Sequence, residues 1–439
     1  MRYYKYLSIL ALSISLGSCS DSEDYTEFYD GVLALSNPGV VMLQSYNVGV
    51  EQTEDVFIQR GGFTTTASNV EMVVDESLVD SMSNAQGKDF ELLPKECYEI
   101  LTPTVKIEGN ERLFKGQIKF NPEKILAING NVYDKNKYIL PIRMKSDGMP
   151  FVTGRSEIIY DFKVSEAIVT LLNKGVFPIN GDVAKVNVGV PFVNQWDITA
   201  TTSVDEGYVD SYNKTNNTYF RVLPKSCYSS EQKAILTPEK SSDFVEYKIN
   251  MSKIKSGNFL LPIKIEGLTT DVSIKKDDKA RTVFQFSKMG ERVNKSDWEI
   301  DSFTTEEPSG EGSNNGRAKH LIDGDVNTFW HARWKGGSDP LPYEIVINMK
   351  KRVDIAQVEV LPRGHHSNNP IKVLHFYVSD DKANWEFIGE FAFTNIDDYL
   401  VYNVKKTAGK YLKLVLPDAG GNSTVAAIRE LEVRGEVLN

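Results

Sequence analysis

The sequence predicts an all-β protein built from three successive β-sandwich domains, and three observations support this fold class. Apolar and polar residues alternate over short runs such as 116–120 and 158–162, which Gly, Pro, Asn and Asp clusters separate, as is typical of half-buried strands. One segment of the chain occurs twice, and the content of tryptophan and histidine rises abruptly after residue 297. The length of 439 residues also suits about three domains.

The repeated segment begins at Val74 and again at Val204, an offset of 130 residues, and 12 of 25 aligned positions are identical. Two tandem copies of one domain, at residues 28–165 and 166–288, explain this pattern. We expect each copy to be an Ig-like antiparallel β-sandwich of about seven strands. A terminal Leu-Pro-Ile motif at 140–142 recurs with a shifted spacing, which indicates that loops differ between the copies while strands persist.

Each repeated segment also contains one stretch that suits a short helix. These stretches are 75–82 and 205–212, where an aspartate at the first position can cap the first turn. Together with the Leu-Pro-x-x-Cys-Tyr motif, the pattern resembles a family of uncharacterised tandem domains found in surface lipoproteins of gut Bacteroidota. That resemblance implies a context, since such domains often precede a sugar-binding or glycosidase module, but it implies little chemistry.

The N-terminal 18 residues have the order of a signal peptide, with basic residues, an apolar run and then small residues. The run is too short to span a bilayer. Leu16–Cys19 resembles the bacterial lipobox, which implies that Cys19 is lipidated, and two or more acyl chains give stable anchoring. The acidic tether at 19–27 resembles the signal for display on the outer face of the outer membrane, although a plain solvated linker has the same composition.

Charge and cysteine usage exclude two classes of function. A net charge of −10 with only short basic clusters repels phosphate backbones, so no nucleic-acid partner is expected. Cys97 and Cys227 stand alone in separate repeats, which excludes a disulfide within either repeat. We expect both to be buried, inert thiols, because a catalytic cysteine needs a histidine partner and no histidine precedes residue 320.

The most specific motif lies at 318–331, where the chain reads AKHLIDGDVNTFWH. This stretch resembles the discoidin, or coagulation factor 5/8 type C, fold, and within it the family 32 carbohydrate-binding modules. The resemblance extends over residues 296–437. It implies a discoidin-like jelly-roll β-sandwich with a glycan site on its loops.

Asp323, Asp325 and Asn327 place oxygen ligands at alternate positions, which suits a hard cation such as calcium. An EF-hand is excluded, because the sixth and twelfth loop positions hold Thr328 and Trp334 instead of glycine and glutamate. The alternative is a tight Asp-Gly turn without an ion. The resemblance implies a structural calcium site, and the matching positions are His320, Asp323, Asp325, Thr328, Arg429 and Glu430.

In galactose-type members of the resembled family, a histidine, an arginine and an asparagine bind sugar hydroxyls. The matching positions here are His331, Arg363 and Asn368, with Trp334 either stacking on the sugar or packed in the core. Arginine and amide groups can meet adjacent hydroxyls, as this role requires. The alternative is a set of solvated loop residues. The loop at 419–424 lacks the second aromatic residue that many sugar-binding members carry, which implies weak affinity or an unusual ligand.

The sequence carries none of the common catalytic motifs, and no enzyme activity is predicted. We expect a lipid-anchored outer-membrane protein, exposed on the cell surface, that binds galactose-type or other glycans through its C-terminal domain. Its contact with the membrane would be the lipid anchor alone, and a glycan importer and glycosidases are its expected partners. The alternative is an adhesion protein that binds a host or cell-surface protein through the same domain.

Overall fold

The computed structural model describes residues 31–63, 66–128, 137–179, 181–364, 369–418 and 426–438. Cys19 and the predicted signal peptide lie outside these residues. The chain divides into two compact units. One ends at Ala167 and also includes Val272–Ile274, and the other comprises Ile168–Asp271 and the chain from Lys275 onward. Among the described residues, no helix has the length and apolar character needed to cross a membrane.

The first repeat is a sandwich of two sheets with strand orders β1-β3-β8-β6 and β2-β10-β9-β4-β7, and β5 pairs with β9. Its core lies between these sheets and includes Leu33, Ile58, Ile118, Leu140 and Tyr160. The bounds are β1 (Val32–Leu35), β2 (Gly39–Asn47), β3 (Gln52–Gly61), β4 (Ser68–Val74), α1 (Ser77–Gln86), β5 (Glu91–Leu92), β6 (Tyr98–Ile100), β7 (Thr104–Ile107), β8 (Leu113–Phe120), α2 (Pro122–Ile128), β9 (Tyr138–Ser146) and β10 (Glu157–Glu166).

The second repeat has the same arrangement, with strand orders β16-β18-β13-β11-β20 and β12-β21-β19-β14-β17, and β15 pairs with β19. Apart from the added β20, each position matches its counterpart in the first repeat, which confirms the prediction of two tandem sandwiches. The prediction of about seven strands, all antiparallel, is wrong, because the repeats have ten and eleven strands and the β2–β10 and β12–β21 pairs are parallel. The bounds are β11 (Ile168–Leu171), β12 (Gly175–Pro178), β13 (Val183–Gly189), β14 (Ile198–Val204), α3 (Gly207–Asn216), β15 (Arg221–Val222), β16 (Tyr228–Ser229), β17 (Lys233–Leu236), β18 (Ser242–Ile249), β19 (Gly257–Thr269), β20 (Lys275–Lys276) and β21 (Thr282–Lys288).

The two predicted short helices are present as α1 and α3, each starting two residues later than expected and extending four residues further. Asp75 precedes α1, and its Oδ1 accepts the Ser77 N–H at 3.1 Å, so the aspartate satisfies a free amide of the first turn. Cys97 and Cys227 are free and buried, as predicted.

The C-terminal region forms one seven-stranded sheet with the order β23-β28-β24-β27-β25-β26, in which β22 pairs with β24. A large cluster of buried apolar residues, among them Trp330, Tyr343 and Phe376, packs against it. The all-β fold class is therefore confirmed along the described chain. The bounds are β22 (Glu299–Phe303), β23 (Trp330–His331), β24 (Tyr343–Pro362), β25 (Val373–Ser379), β26 (Glu386–Ala392), β27 (Leu400–Leu416) and β28 (Ala427–Leu438).

The sequence predicts two strands, 342–349 and 353–361, where the structure has the single long strand β24. The register with β27 shifts between Asn348 and Val353, where Lys350 has a positive φ of 64°. The Asn348 Oδ1 accepts the Lys350 N–H at 2.9 Å and stabilises this irregularity. The structure thus has a bulge within one strand at the position where the polar residues of the sequence predict a loop.

Candidate functional site

The sheet order brings the two predicted sugar-contacting loops to the same end of the C-terminal domain. The strand β28 lies between β23 and β24, and it begins at that end. His331 at the end of β23 pairs with Ala427, and Pro362 at the end of β24 pairs with Ile428. The loops that follow β23 and β24, which carry Trp334 and Arg363, therefore start beside each other.

Three of the four predicted sugar-binding side chains converge on one carboxylate, that of Glu311. The Trp334 Nε1 donates to Glu311 Oε1 at 3.0 Å, and the Arg363 guanidinium donates to Oε2 at 3.4 Å. The His331 Nε2 lies 3.8 Å from Oε1. Asn368, the fourth predicted residue, lies outside the residues that the structure describes. Sequence reasoning missed Glu311, because it sits in a polar, glycine-rich loop without periodicity or a motif.

A second carboxylate, that of Glu307, stabilises the loop that carries Glu311. Its side chain is fully buried, its Oε1 accepts the N–H groups of Ser309 and Gly310, and its Oε2 accepts those of Trp334 and Lys335. Burial raises the pKa of Glu307, but the four backbone N–H groups outweigh it and lower the pKa to about 2. This anion therefore links the loop that carries Glu311 to the loop that carries Trp334.

Gly310 is needed for this close packing. A Cβ at Gly310 would lie 2.6 Å from Trp334 Cζ2 and 2.9 Å from Glu307 Cδ, well inside van der Waals contact. Trp334 thus packs its ring against the Gly310 backbone while 42% of the residue stays exposed. An exposed, positioned indole face can stack on the apolar face of a ligand.

His331 is buried, and its tautomer follows from its contacts. The Nδ1 lies 2.7 Å from the Ala332 carbonyl oxygen, which can only accept, so Nδ1 carries the proton. Burial is the main cause that lowers the pKa of His331, which keeps the ring neutral. Its Nε2 is then an acceptor that faces Glu311. The Arg363 guanidinium lies 3.9 Å from the centre of the Phe329 ring, which orients it toward the same point.

Three of the residues predicted to hold a cation, Asp323, Thr328 and Glu430, meet at the edge where β28 passes the 318–328 segment. The Thr328 hydroxyl donates to Asp323 Oδ2 at 2.8 Å and lies 3.0 Å from the Asp325 carbonyl oxygen. The Gly324 N–H donates to Glu430 Oε1 at 2.8 Å. The Asp325 carboxylate instead accepts two hydrogen bonds from Asn327.

Two carboxyl groups and one ammonium group lie close together at this edge. Burial raises the pKa of Glu430 to about 7, opposed by Lys295, and the neighbouring carboxyl of Asp323 contributes to the increase. Lys295 contacts the other oxygen of Glu430 and is the positive charge beside the pair. Within the described ranges no three His, Cys, Asp or Glu side chains form a metal cluster. The set instead combines two carboxylates with hydroxyl and backbone oxygens, which hard cations accept.

Two family models match the chain. The model described as the F5/8 type C domain matches residues 302–431, and this confirms the discoidin-like domain expected from the 318–331 motif. A model described as a "-like, N-terminal domain" matches twice, at residues 29–150 and 163–272, and covers more than half of the chain.

Several known proteins are similar to the C-terminal third. A chitobiase C-terminal domain from Bacteroides fragilis is 66% identical, with a TM-score of 0.33, and the match covers 34% of this chain and all of that domain. A family 32 module from Clostridium perfringens, solved in complex with GalNAc-β-1,3-galactose, is 26% identical, with a TM-score of 0.30 over 33% of this chain and all of that module.

Among curated proteins, a sialidase from Micromonospora viridifaciens is 26% identical over 125 residues, which is 28% of this chain and 19% of the sialidase. The chain therefore spans about a fifth of the length of that relative. The match to the N-terminal domain model covers more than half of the sequence, which is a larger share than the similarity to the sialidase covers. The chain belongs to the family defined by this N-terminal domain, which it carries twice, followed by an F5/8 type C domain.

Proposed function

We propose that this protein is a glycan-binding surface lipoprotein and that its C-terminal domain binds the glycan at the cluster around Glu311. The observation that carries the proposal is the convergence of three side chains from two segments of the domain on one pair of oxygen atoms. His331 and Trp334 come from the end of β23 and the loop after it, and Arg363 comes from the loop after β24. The likeness to carbohydrate-binding modules supports it, since one similar module was solved with GalNAc-β-1,3-galactose and another with galactose.

The chemistry of the cluster suits neighbouring hydroxyl groups. The Arg363 guanidinium only donates, and the neutral His331 Nε2 only accepts, so together they fix the direction of two hydroxyls. The Trp334 ring supplies an apolar face. In this account the Glu311 oxygens stand where two sugar oxygens bind, and the glycan displaces that carboxylate to reach His331. Asn368 completes the proposed set.

The N-terminal sequence supports a proposal for where the protein is located in the cell. We propose that Cys19 carries the lipid anchor and that the acidic tether directs the protein to the outer face of the outer membrane. The two repeats then act as spacers that hold the glycan-binding domain away from the lipid. Partner enzymes and an outer-membrane importer would use the captured glycan.

We also propose a structural calcium ion at the edge formed by 318–328 and β28. Asp323, Thr328 and Glu430 would hold it, together with Asp325 and the backbone carbonyls of His320 and Arg429. The ion would supply positive charge to the two neighbouring carboxylates. The contact between Asp323 and Glu430 supports this site.

The proposal is tested by titrating GalNAc-β-1,3-galactose into the wild type and into variants by calorimetry. Arg363→Ala removes charge-assisted hydrogen bonds worth about 1.5–3 kcal/mol, so affinity should fall about 10-fold or more. Arg352→Ala is the matched control, because Arg352 lies within the same strand but pairs with Leu438 at the opposite end of β28. Equal affinities of the Arg363 variant and the wild type would contradict the proposal.

A further inference from the structure

A cleft lies between the second repeat and the C-terminal domain, which belong to the same compact unit. The Lys406 Nζ donates to the Ser256 carbonyl oxygen at 3.2 Å, and the Glu390 N–H donates to the Tyr219 hydroxyl at 3.2 Å. The rings of Tyr219 and Phe391 lie 5.7 Å apart. These contacts join the two domains beside the cleft.

The inner part of the cleft is a cavity of about 270 Å³. It is lined by Asn217, Asn258, Gln285, Asn403, Tyr219 and Phe391, among other residues. Antiparallel pairing explains why polar groups of the second repeat gather there. Asn258 on β19 stands opposite Ser287 on β21, and Gln285 lies two residues from Ser287, so all three share one face of the sheet.

The amides of this cavity are not used by the fold. The side chains of Asn217, Asn258, Gln285 and Asn403 make no hydrogen bond to another residue that the structure describes. Each amide offers both donors and an acceptor. Aromatic rings beside such groups form a surface that matches the alternating hydroxyls and apolar faces of a sugar.

The outer part of the cleft is a cavity of about 640 Å³ that shares the wall at 217–220 with the inner one. Its lining is cationic, with Lys214, Arg221, Lys405 and Lys406 against the single acidic residue Asp210. Lys405 and Lys406 are paired with Glu386 and Asp354. Lys214 and Arg221 make no ion pair with any described residue, so their charges are available to a ligand.

We propose that this cleft is a second binding site of the protein, for an acidic oligosaccharide. A sugar ring occupies the inner cavity against Tyr219 and the amides, and a carboxylate or sulfate of the same chain pairs with Lys214 and Arg221. The second repeat is then part of a ligand site and more than a spacer. The inference does not depend on the cluster around Glu311, because the two sites share no residue.

The test measures binding of a chondroitin sulfate hexasaccharide to the full chain by calorimetry, at low and at high ionic strength. Chitohexaose, a neutral hexasaccharide of similar length, is the matched probe. The acidic probe should bind, its affinity should fall as salt screens the pairs, and the neutral probe should bind at least about 10-fold more weakly. Equal binding of the two probes, or no binding of the acidic probe, would overturn the proposal.

Three variants locate the site. The double variant Lys214→Ala with Arg221→Ala should bind the acidic probe about 10-fold or more weakly, and this binding should depend less on salt. The double variant Asn258→Ala with Gln285→Ala should also bind the probe more weakly, but with unchanged salt dependence. Arg363→Ala should leave this binding unchanged while it weakens binding of GalNAc-β-1,3-galactose about 10-fold or more. If only the Arg363 variant fails to bind the acidic probe, the probe binds at the cluster around Glu311, and the proposed site in the cleft is refuted. Lys214 and Arg221 are exposed, so their replacement should leave the fold intact, which an unchanged unfolding midpoint verifies.

Discussion

The buried carboxylate of Glu307 should be a main support of the proposed glycan site, and Glu307→Gln tests this. Each Glu307 oxygen accepts two backbone N–H groups. In glutamine one oxygen becomes an NH₂ group, so one pair of backbone donors must face another donor. Two hydrogen bonds to a charged acceptor are lost, at about 1.5–3 kcal/mol each, so the free energy of unfolding of the domain should fall by about 3–6 kcal/mol.

Urea unfolding followed by tryptophan fluorescence measures this loss, because four of the five tryptophans lie after residue 297. With a slope of roughly 2 kcal/mol per molar urea, the midpoint should fall by about 2 M. Glu306→Gln is the control, since the neighbouring Glu306 accepts one N–H group, that of Ala318. If both variants shift the midpoint equally, the account of Glu307 as the link between the two loops is refuted.

Two further predictions concern the cation and the imidazole. Calcium at about 100 times its dissociation constant should raise the free energy of unfolding of the C-terminal domain by about 2.7 kcal/mol, and Asp323→Asn should abolish this gain. Equal unfolding midpoints with calcium and with a chelator would exclude the calcium site. Burial lowers the pKa of His331 from 6.5, so its ring stays neutral above that pH and binding of GalNAc-β-1,3-galactose should be constant there. Affinity should fall only as the pH drops through the lowered pKa and Nε2 gains a proton; affinity that declines from neutral pH upward would contradict the assigned tautomer.

The fold was predictable because its signals are local or repeated. Alternation within strands and the 130-residue offset suffice to predict two equivalent sandwiches, and the strand orders of the two repeats agree. The short helices were placed within a few residues, because Asp75 and Asp205 precede them at the N-terminus. The bulge in β24 was missed, since a polar stretch around Lys350 resembles a loop when the partner strand is unknown.

The proposed glycan site was only partly predictable. His331, Trp334 and Arg363 follow from the motif at 318–331 and the strand ends, but Glu311 and Glu307 occupy a loop whose course depends on tertiary contacts. The contact between His331 and Glu311 has the same origin, because it joins residues 20 positions apart. The cleft beside Tyr219 joins residues more than 150 positions apart, which no local pattern reveals.

A crystal structure of the protein with GalNAc-β-1,3-galactose tests the central claim most directly. The account predicts sugar hydroxyls at hydrogen-bonding distance from the Arg363 guanidinium and the His331 Nε2, with the Glu311 carboxylate displaced from its present position. A disaccharide bound elsewhere on the domain, with Glu311 still hydrogen-bonded to Trp334, would contradict it.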